Sequence, residues 1–495
     1  MNCKEQHMRY VYLPLDDRPC TYSFPVQLAN AAGVGVCVPC DLPGKDYKSA
    51  YPYAQAEAFL RAHAGEDACI ILAVDQLCYG GLLQSRSMSG TDQAAALARL
   101  KLIRELKKQY PAMQVHAFSV IMRASISTLS QSDLVHYNNM TLYCRLAHKA
   151  RLTGSREDRE ALEQVTAQLP KELLSHYLSV RRRNHTVNRA CVEMAREGFF
   201  DSLMLLQEDA QEYGLHRLEQ EELLQHAQGC ENVYLHNGAD EGGVMALLCA
   251  VAREKKLRMQ AAVCYLRGDE GTFVARYEDR PFCENLKSYL AYAGIDVVPV
   301  SEAQQVLCIL SPDEMGQKDM TDDVQETDDE DMRRRFAVQM AQLAAQGKHC
   351  YLLDLTVANG GLPGILQSTD DVMGLDKLWG YSAWNTSCNA LGTIVAQMLS
   401  DALSGVRNEC FLWERILDDC LYEGVVRARL RRYLTALGED AMALRDKQGG
   451  DLALQKLAGE AMDEIPFLRS MPLDATLSLP WPRVFECRAE CRKSV

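Results

Sequence analysis

Carboxylates recur where apolar runs of this chain end. Asp16-Asp17-Arg18, Asp75-Gln76 with Tyr79-Gly80-Gly81, Gln207-Glu208-Asp209, Asn237-Gly238-Ala239-Asp240-Glu241, and Asp354 with Asn359-Gly360-Gly361 each follow such a run. Asp240-Glu241 is the pair best suited to acid–base chemistry. A carboxylic acid kept protonated near neutral pH can protonate a leaving group, while its ionised neighbour orients substrate or stabilises positive charge. In that arrangement Glu241 is the general acid, Asp240 the orienting group and Asp209 the candidate second carboxylate. The bland alternative is a helix N-terminus, where Asp and Glu satisfy free N–H groups and the dipole.

Other polar residues at run ends are expected to bind substrate. Asp16, Asp17 and Arg18 form an anion-binding or internally paired turn, and Asp75, Tyr79, Asp354 and Asn359 occupy equivalent places. Trp384 and Asn385 lie in Gly380-Tyr381-Ser382-Ala383-Trp384-Asn385-Thr386, an aromatic face among neutral polar groups that suits a sugar. Core packing is the competing role for Trp384. Oxygen ligands at Asp16, Asp17, Asp209 and Asp354 could hold a divalent metal. No spacing is diagnostic of one, so no metal ligand is assigned and no cofactor is expected. Cys37-Val38-Pro39-Cys40 has no matching second pair and reads as structural. A nucleotide fingerprint is absent, since the Asn359 loop is not GxGxxG and carries no P-loop lysine.

Elements that could position these groups follow from the pattern. The runs Tyr10–Leu15, Cys69–Val74, Ser202–Leu206, Val233–Leu235 and Cys350–Leu353 read as buried parallel strands. Strands alternate with helical patterns, which predicts an α/β fold. A (β/α)-barrel-like parallel core is expected, with strands near Tyr10, Cys69, Val115, Leu203, Val233, Val306, Tyr351 and Leu378, because a barrel gathers strand ends at one mouth. Two or three doubly wound, Rossmann-like domains are the alternative. The chain divides by texture into residues 1–259 (first part of the core), 260–345 (a small α/β insertion or second domain with an acidic loop), 346–400 (end of the core) and 401–495 (mainly helical).

With 495 residues, 47% hydrophobic and 24% charged, the composition is that of a globular protein. The net charge of −14 argues against nucleic acid as a partner. Arg181-Arg182-Arg183 is one short basic run and is expected on a solvated helix face. No stretch is long and apolar enough for a membrane span, no secretory signal is evident, and the 19 cysteines read as reduced thiols of a cytoplasmic protein. The sequence carries no signal for an oligomeric state.

Taken in order, Pro14-Leu15-Asp16-Asp17-Arg18-Pro19, Asp75 with Tyr79-Gly80-Gly81-Leu82 and Ser85-Arg86, Arg183-Asn184-His185, Gly238-Ala239-Asp240-Glu241, Asp354 with Asn359-Gly360, and Trp384-Asn385-Thr386 with Asn389 resemble the bacterial family of domain of unknown function 4127. The resemblance runs from Pro14 to about Gly392, with Leu479-Pro480-Trp481 and Phe485-Glu486 beyond it. It implies that the motifs belong together, adding Asn184 and His185 to the candidate binding residues, and it names no activity. Gln207-Glu208-Asp209 departs from it, where paired aspartates are expected. Gly238-Ala239-Asp240-Glu241 alone also resembles the motif of family-20-type hexosaminidases, whose Glu is the acid and whose Asp orients a 2-acetamido nucleophile. The resulting expectation is a glycoside hydrolase acting on a small sugar. Metal-assisted hydrolysis or lysis, and non-catalytic carbohydrate binding, are the alternatives.

Overall fold

The computed structural model describes residues 8–42, 47–88, 90–127, 134–322, 329–469 and 471–493. The chain forms two compact units. Unit 1 holds residues 1–30, 34–251 and 277–279, and unit 2 holds 31–33, 252–276 and 280–495. Residues 260–345, 346–400 and 401–495, separated above by texture, therefore fall in unit 2 except for Tyr277–Asp279.

Unit 1 is built on six parallel strands: β1 (Arg9–Leu13), β2 (Val36–Cys37), β3 (Ala68–Ala73), β4 (Gln114–Ile121), β5 (Ser202–Gln207) and β6 (Val233–Asn237). Their order is β2-β1-β3-β4-β5-β6. All six residues of β3, Ala-Cys-Ile-Ile-Leu-Ala, are buried, as expected for a strand covered on both faces. Helix Gln93–Gln109 starts at Asp92, whose carboxylate accepts from the Ala95 N–H at 2.8 Å. Helices Leu134–Thr153, Arg156–Gln168 and Lys171–Arg196 fill the long strand-free region. Residues 130–133, with which that region begins, lie outside the described residues.

Unit 2 contains β7 (Met259–Tyr265), β8 (Ile295–Val297), β9 (Gln305–Leu310), β10 (Lys318–Asp319), β11 (His349–Asp354), β12 (Val357–Ala358), β13 (Leu378–Ser382), β14 (Leu473–Ser478) and β15 (Arg488–Lys493). Five of them make a parallel sheet in the order β13-β11-β9-β7-β8. β10 pairs with β12, and β14 pairs antiparallel with β15. Part of the acidic tract, residues 323–328, lies outside the described residues.

The α/β class with parallel sheets is thus observed. Of the two arrangements expected, the strands match doubly wound units: both large sheets are open among the described residues, and no ring joins them. The segment from Ala261 supplies β7 and β9 of the second sheet, with β9 at its centre. In chain order within each unit, both sheets begin 2-1-3-4-5. That winding has its switch point between the first and third strands, and ligands bind in the crevice outside the carboxyl ends there.

Candidate functional site

In unit 1 the loop after β1 supplies the first half of a charged network. Arg18 Nε and Nη2 donate to Asp16 at 2.8–3.1 Å, and the Arg18 backbone N–H donates to the same carboxylate at 3.1 Å. Arg18 also grips Asp240, after β6, with Nη1 to Oδ2 at 2.9 Å and Nη2 to Oδ1 at 2.6 Å. This is the bidentate geometry that suits a guanidinium to a carboxylate. The three side chains are buried. Burial alone would raise the Asp16 pKa, but the adjacent Arg18 charge, with hydrogen bonds from Arg18 and Thr21, brings it below the ordinary value.

Glu241 is 1% exposed, and its Oε2 accepts from the Ala239 N–H at 3.1 Å. The side chain folds back over Gly238, whose φ is +110°; a Cβ at that position would overlap the Glu241 carboxylate. Only glycine allows this turn. Asp17 is buried in the same loop as Asp16.

The second half of the network comes from β3, β4 and β5. Arg86 pairs with Glu208. Arg123 pairs with Asp209 at 2.5 Å and reaches Glu208 at 3.6 Å. Burial first, and then the nearby cations Arg123 and Arg18, push the Arg86 pKa down to about 9, against the pull of Asp209 and Asp240. Arg18, Arg86 and Arg123 therefore share one electrostatic neighbourhood with Asp209 and Asp240. Asp209 has φ +36°, an unusual backbone for a non-glycine residue and one that clusters at functional sites.

Asp75 serves a neighbouring knot. Its Oδ2 accepts from the Val120 N–H at 2.9 Å, and burial raises its pKa to about 6 despite this bond and Arg183. Arg183 lies 4.2 Å from the Tyr79 ring centroid and donates to the carbonyls of Ser85, Ser87 and Thr91 at 2.5–2.8 Å. Asn184 also donates to Ser85 O, at 2.9 Å. These residues fix the loop that carries Arg86. His185 instead pairs with Glu222 at 3.1 Å, in a crevice of about 640 Å³ among helices. Only Arg182 of the basic run is solvated: Arg181 and Arg183 are 3% and 1% exposed, with backbone carbonyls and, for Arg181, Glu219 satisfying their guanidiniums.

Unit 2 has its own polar cluster at the carboxyl ends of β11 and β13. Asp354 accepts from the Thr356 N–H at 3.1 Å and the Thr356 hydroxyl at 2.6 Å, and burial raises its pKa to about 6. Asn359 donates to both oxygens of Asp319 at 3.0–3.1 Å, and its N–H donates to Asn385 O at 2.8 Å. Trp384 is 5% exposed, with its ring 6.3 Å from that of Phe485. The backbone N–H groups of Trp384 and Ala383 donate to Asp419 at 3.3 and 2.8 Å.

Ten of the expected residues (Asp16, Asp17, Arg18, Asp75, Tyr79, Asn184, His185, Asp209, Asp240 and Glu241) thus belong to unit 1, and Asp354, Asn359, Trp384 and Asn385 to unit 2. Within unit 1, Asp16, Arg18 and Asp240 meet directly. A family profile described as "Protein of unknown function (DUF4127)" matches residues 10–490.

The chain belongs to the DUF4127 family.

No curated protein matches the sequence of this DUF4127 member. Among solved structures it is similar to GanP, a glucose-galactose binding protein from Geobacillus stearothermophilus, at 8% identity over 81% of this chain and 92% of that one, with a TM-score of 0.17. It is also similar to the carboxyl transferase domain of Rhizobium etli pyruvate carboxylase, at 10% identity over 93% and 57% of the two chains, TM-score 0.19. A third is the cobalamin-dependent S-adenosylmethionine radical enzyme OxsB, at 11% identity over 92% and 67%, TM-score 0.20.

The sequence motifs of this DUF4127 chain do not include a helix that buries three carboxylates. Ile416–Val426, a π-helical segment, carries Asp418, Asp419 and Glu423, all buried. Arg415 pairs with Asp418 at 3.0 Å and Asp419 at 2.9 Å, and Arg427 pairs with Glu423. Burial pushes Asp418 up to about 7. The available signal was acidic residues inside an apolar run, with arginines three and four residues away. Arg86 and Arg123 were likewise missed as members of the network. Among the described residues no group of three or more His, Cys, Asp or Glu side chains is arranged to hold a metal ion. Nor is any described helix long and apolar enough to cross a membrane. Cys37 and Cys40 are free thiols.

Proposed function

We propose that this protein is a hydrolase of a small glycoside, with its reacting groups at the carboxyl ends of the unit 1 strands. The observation that carries the reading is the bidentate Arg18–Asp240 pair beside the buried Glu241. Two adjacent carboxylates have different surroundings, which is how one site holds an ionised group and a proton donor together. Asp240, kept ionised by Arg18, orients the sugar and stabilises positive charge at the anomeric carbon. Glu241 gives its proton to the leaving oxygen as the C–O bond breaks. Water then adds to the anomeric carbon and gives its proton to Asp209, after which exchange with solvent returns a proton to Glu241 and takes one from Asp209. Asp209, aimed by Arg123, is the second carboxylate that activates that water.

The test is turnover of a panel of aryl glycosides, N-acetylhexosaminides included, by the native protein, E241Q and D240N. Removing the acid is expected to cost about 100-fold or more in rate, with more of the rate recovered on substrates whose leaving group needs no proton. Full activity of E241Q, or no hydrolysis anywhere on the panel, would sink the reading.

A further inference from the structure

Unit 2 contains a crevice at the switch point of its own sheet. β8 lies on one side of β7 and β9 on the other, so the strand order turns between β7 and β9. The loops that leave β7 and β9 (Leu266–Phe273 and Ser311–Glu314) form two walls, and helix Glu330–Ala345 forms the third. The volume is about 550 Å³, within the range of small-molecule sites.

Its lining divides by chemistry. Leu266, Phe273, Pro312, Met332 and Phe336 are apolar, and Arg267 and Arg335 bring positive charge. Arg267 is fixed rather than swinging: Nε donates to Ser311 O at 2.7 Å, Nη1 lies 2.8 Å from Met332 Sδ, and the guanidinium sits 5.3 Å from the Phe336 centroid. None of these partners is an anion. Of the three carboxylates that line the crevice, Asp269 and Asp313 are held by groups of the two loops, and Glu314 is exposed. Asp269 accepts from the Gly271 N–H at 2.7 Å and the Ser311 hydroxyl at 3.0 Å, and Asp313 from the Met315 N–H at 2.9 Å. Among the described residues neither Arg267 nor Arg335 has an acidic partner. The guanidiniums of Arg18, Arg86, Arg123 and Arg415, by contrast, all have one. A preorganised guanidinium beside an aromatic ring, in a concave switch-point site, suits an organic anion.

We propose that this crevice is a second ligand site, taking a small organic anion whose carboxylate or phosphate pairs with Arg267 and Arg335 and whose apolar body lies against Phe336 and Met332. It is independent of the glycosidase reading, which concerns unit 1.

Fluorine NMR of the whole protein with para-fluorophenyl phosphate, para-fluorobenzoate and neutral para-fluorobenzyl alcohol tests it. At least one anion is expected to broaden saturably while the alcohol does not, and the stronger of the two identifies the anionic group. R267M and R335A should each weaken that binding by about tenfold or more, the loss of one charge-assisted contact. Arg335 is exposed, so R335A preserves the fold even where R267M does not. Equal binding of the alcohol, no saturable binding of either anion, or undiminished binding by R335A would overturn the proposal.

Discussion

Replacing Arg18 by methionine should damage unit 1 in a pH-dependent way. Arg18 is 5% exposed, and its side-chain hydrogen bonds include three to Asp16 and two to Asp240. The methionine keeps most of the volume but leaves two buried carboxylates without their cation. Breaking one buried pair in this way costs about 3–5 kcal/mol, so a loss of that order is expected at pH 7. The sign with pH follows from Asp16. Its folded pKa lies below the ordinary value, so its pairing stabilises above the unfolded pKa of about 4 and fades as pH falls through the folded value. In R18M the carboxylates become reluctant to ionise and are relieved by acid. The gap between native and variant should therefore be widest at neutral pH and narrow below about pH 4. All four tryptophans, Trp379, Trp384, Trp413 and Trp481, lie in unit 2, so fluorescence is the wrong probe. Peptide-level hydrogen exchange over residues 8–42 and 232–251, across urea and pH, follows unit 1 directly. A loss below about 1 kcal/mol at pH 7, or a gap that does not narrow in acid, would refute the reasoning.

Three further outcomes follow from single side chains. Asp75 has a folded pKa raised to about 6, so the folded state binds the extra proton and unit 1 should gain roughly 2–3 kcal/mol as pH falls from 7 to 4; D75N should flatten that slope in the same exchange experiment. G238A forces a Cβ into the Glu241 carboxylate at φ +110° and should cost about 1–3 kcal/mol. The same variant should abolish any turnover that depends on Glu241, as a progress curve on the best aryl glycoside would record. D419A removes the acceptor of the Ala383 and Trp384 backbone N–H groups and one of the two carboxylates paired with Arg415, so a loss of about 3 kcal/mol is expected, read as an earlier urea transition in tryptophan fluorescence.

Much of the fold was legible because both large sheets are parallel and buried. Runs such as Cys69–Val74 and Cys350–Leu353 are apolar without alternation, and they end within one residue of the strand ends. β2 was not legible, since two residues, Val36–Cys37, leave no periodicity to count. The choice between one ring and two sheets could not be read from the runs, because pairing partners far apart in sequence decide it. At the site, Asp16, Arg18 and Asp240 were recognised by type and position, yet the bidentate bond across 222 residues has no sequence signature. Asp418 and Asp419 were hidden by helical texture. A buried ion pair three or four residues apart looks the same in sequence as a solvated one until the burial of its helix is known.

The interleaving of the two units governs where this polypeptide can be cut. Tyr277–Asp279 belongs to unit 1 although β7 of unit 2 precedes it. Tyr277 O accepts from the Ala210 N–H at 2.7 Å, and the buried side chain of Asp279 accepts from Gln220 at 2.7 Å and pairs with Arg217 at 3.2 Å. A fragment ending at Val251 would contain all six strands of the first sheet, yet lose the acceptor of the Ala210 N–H, next to Asp209, and one of the acceptors of Gln220. Limited proteolysis or domain dissection guided by the strand count alone would therefore open the back of the proposed active centre, and a boundary beyond Asp279 keeps those acceptors with their donors.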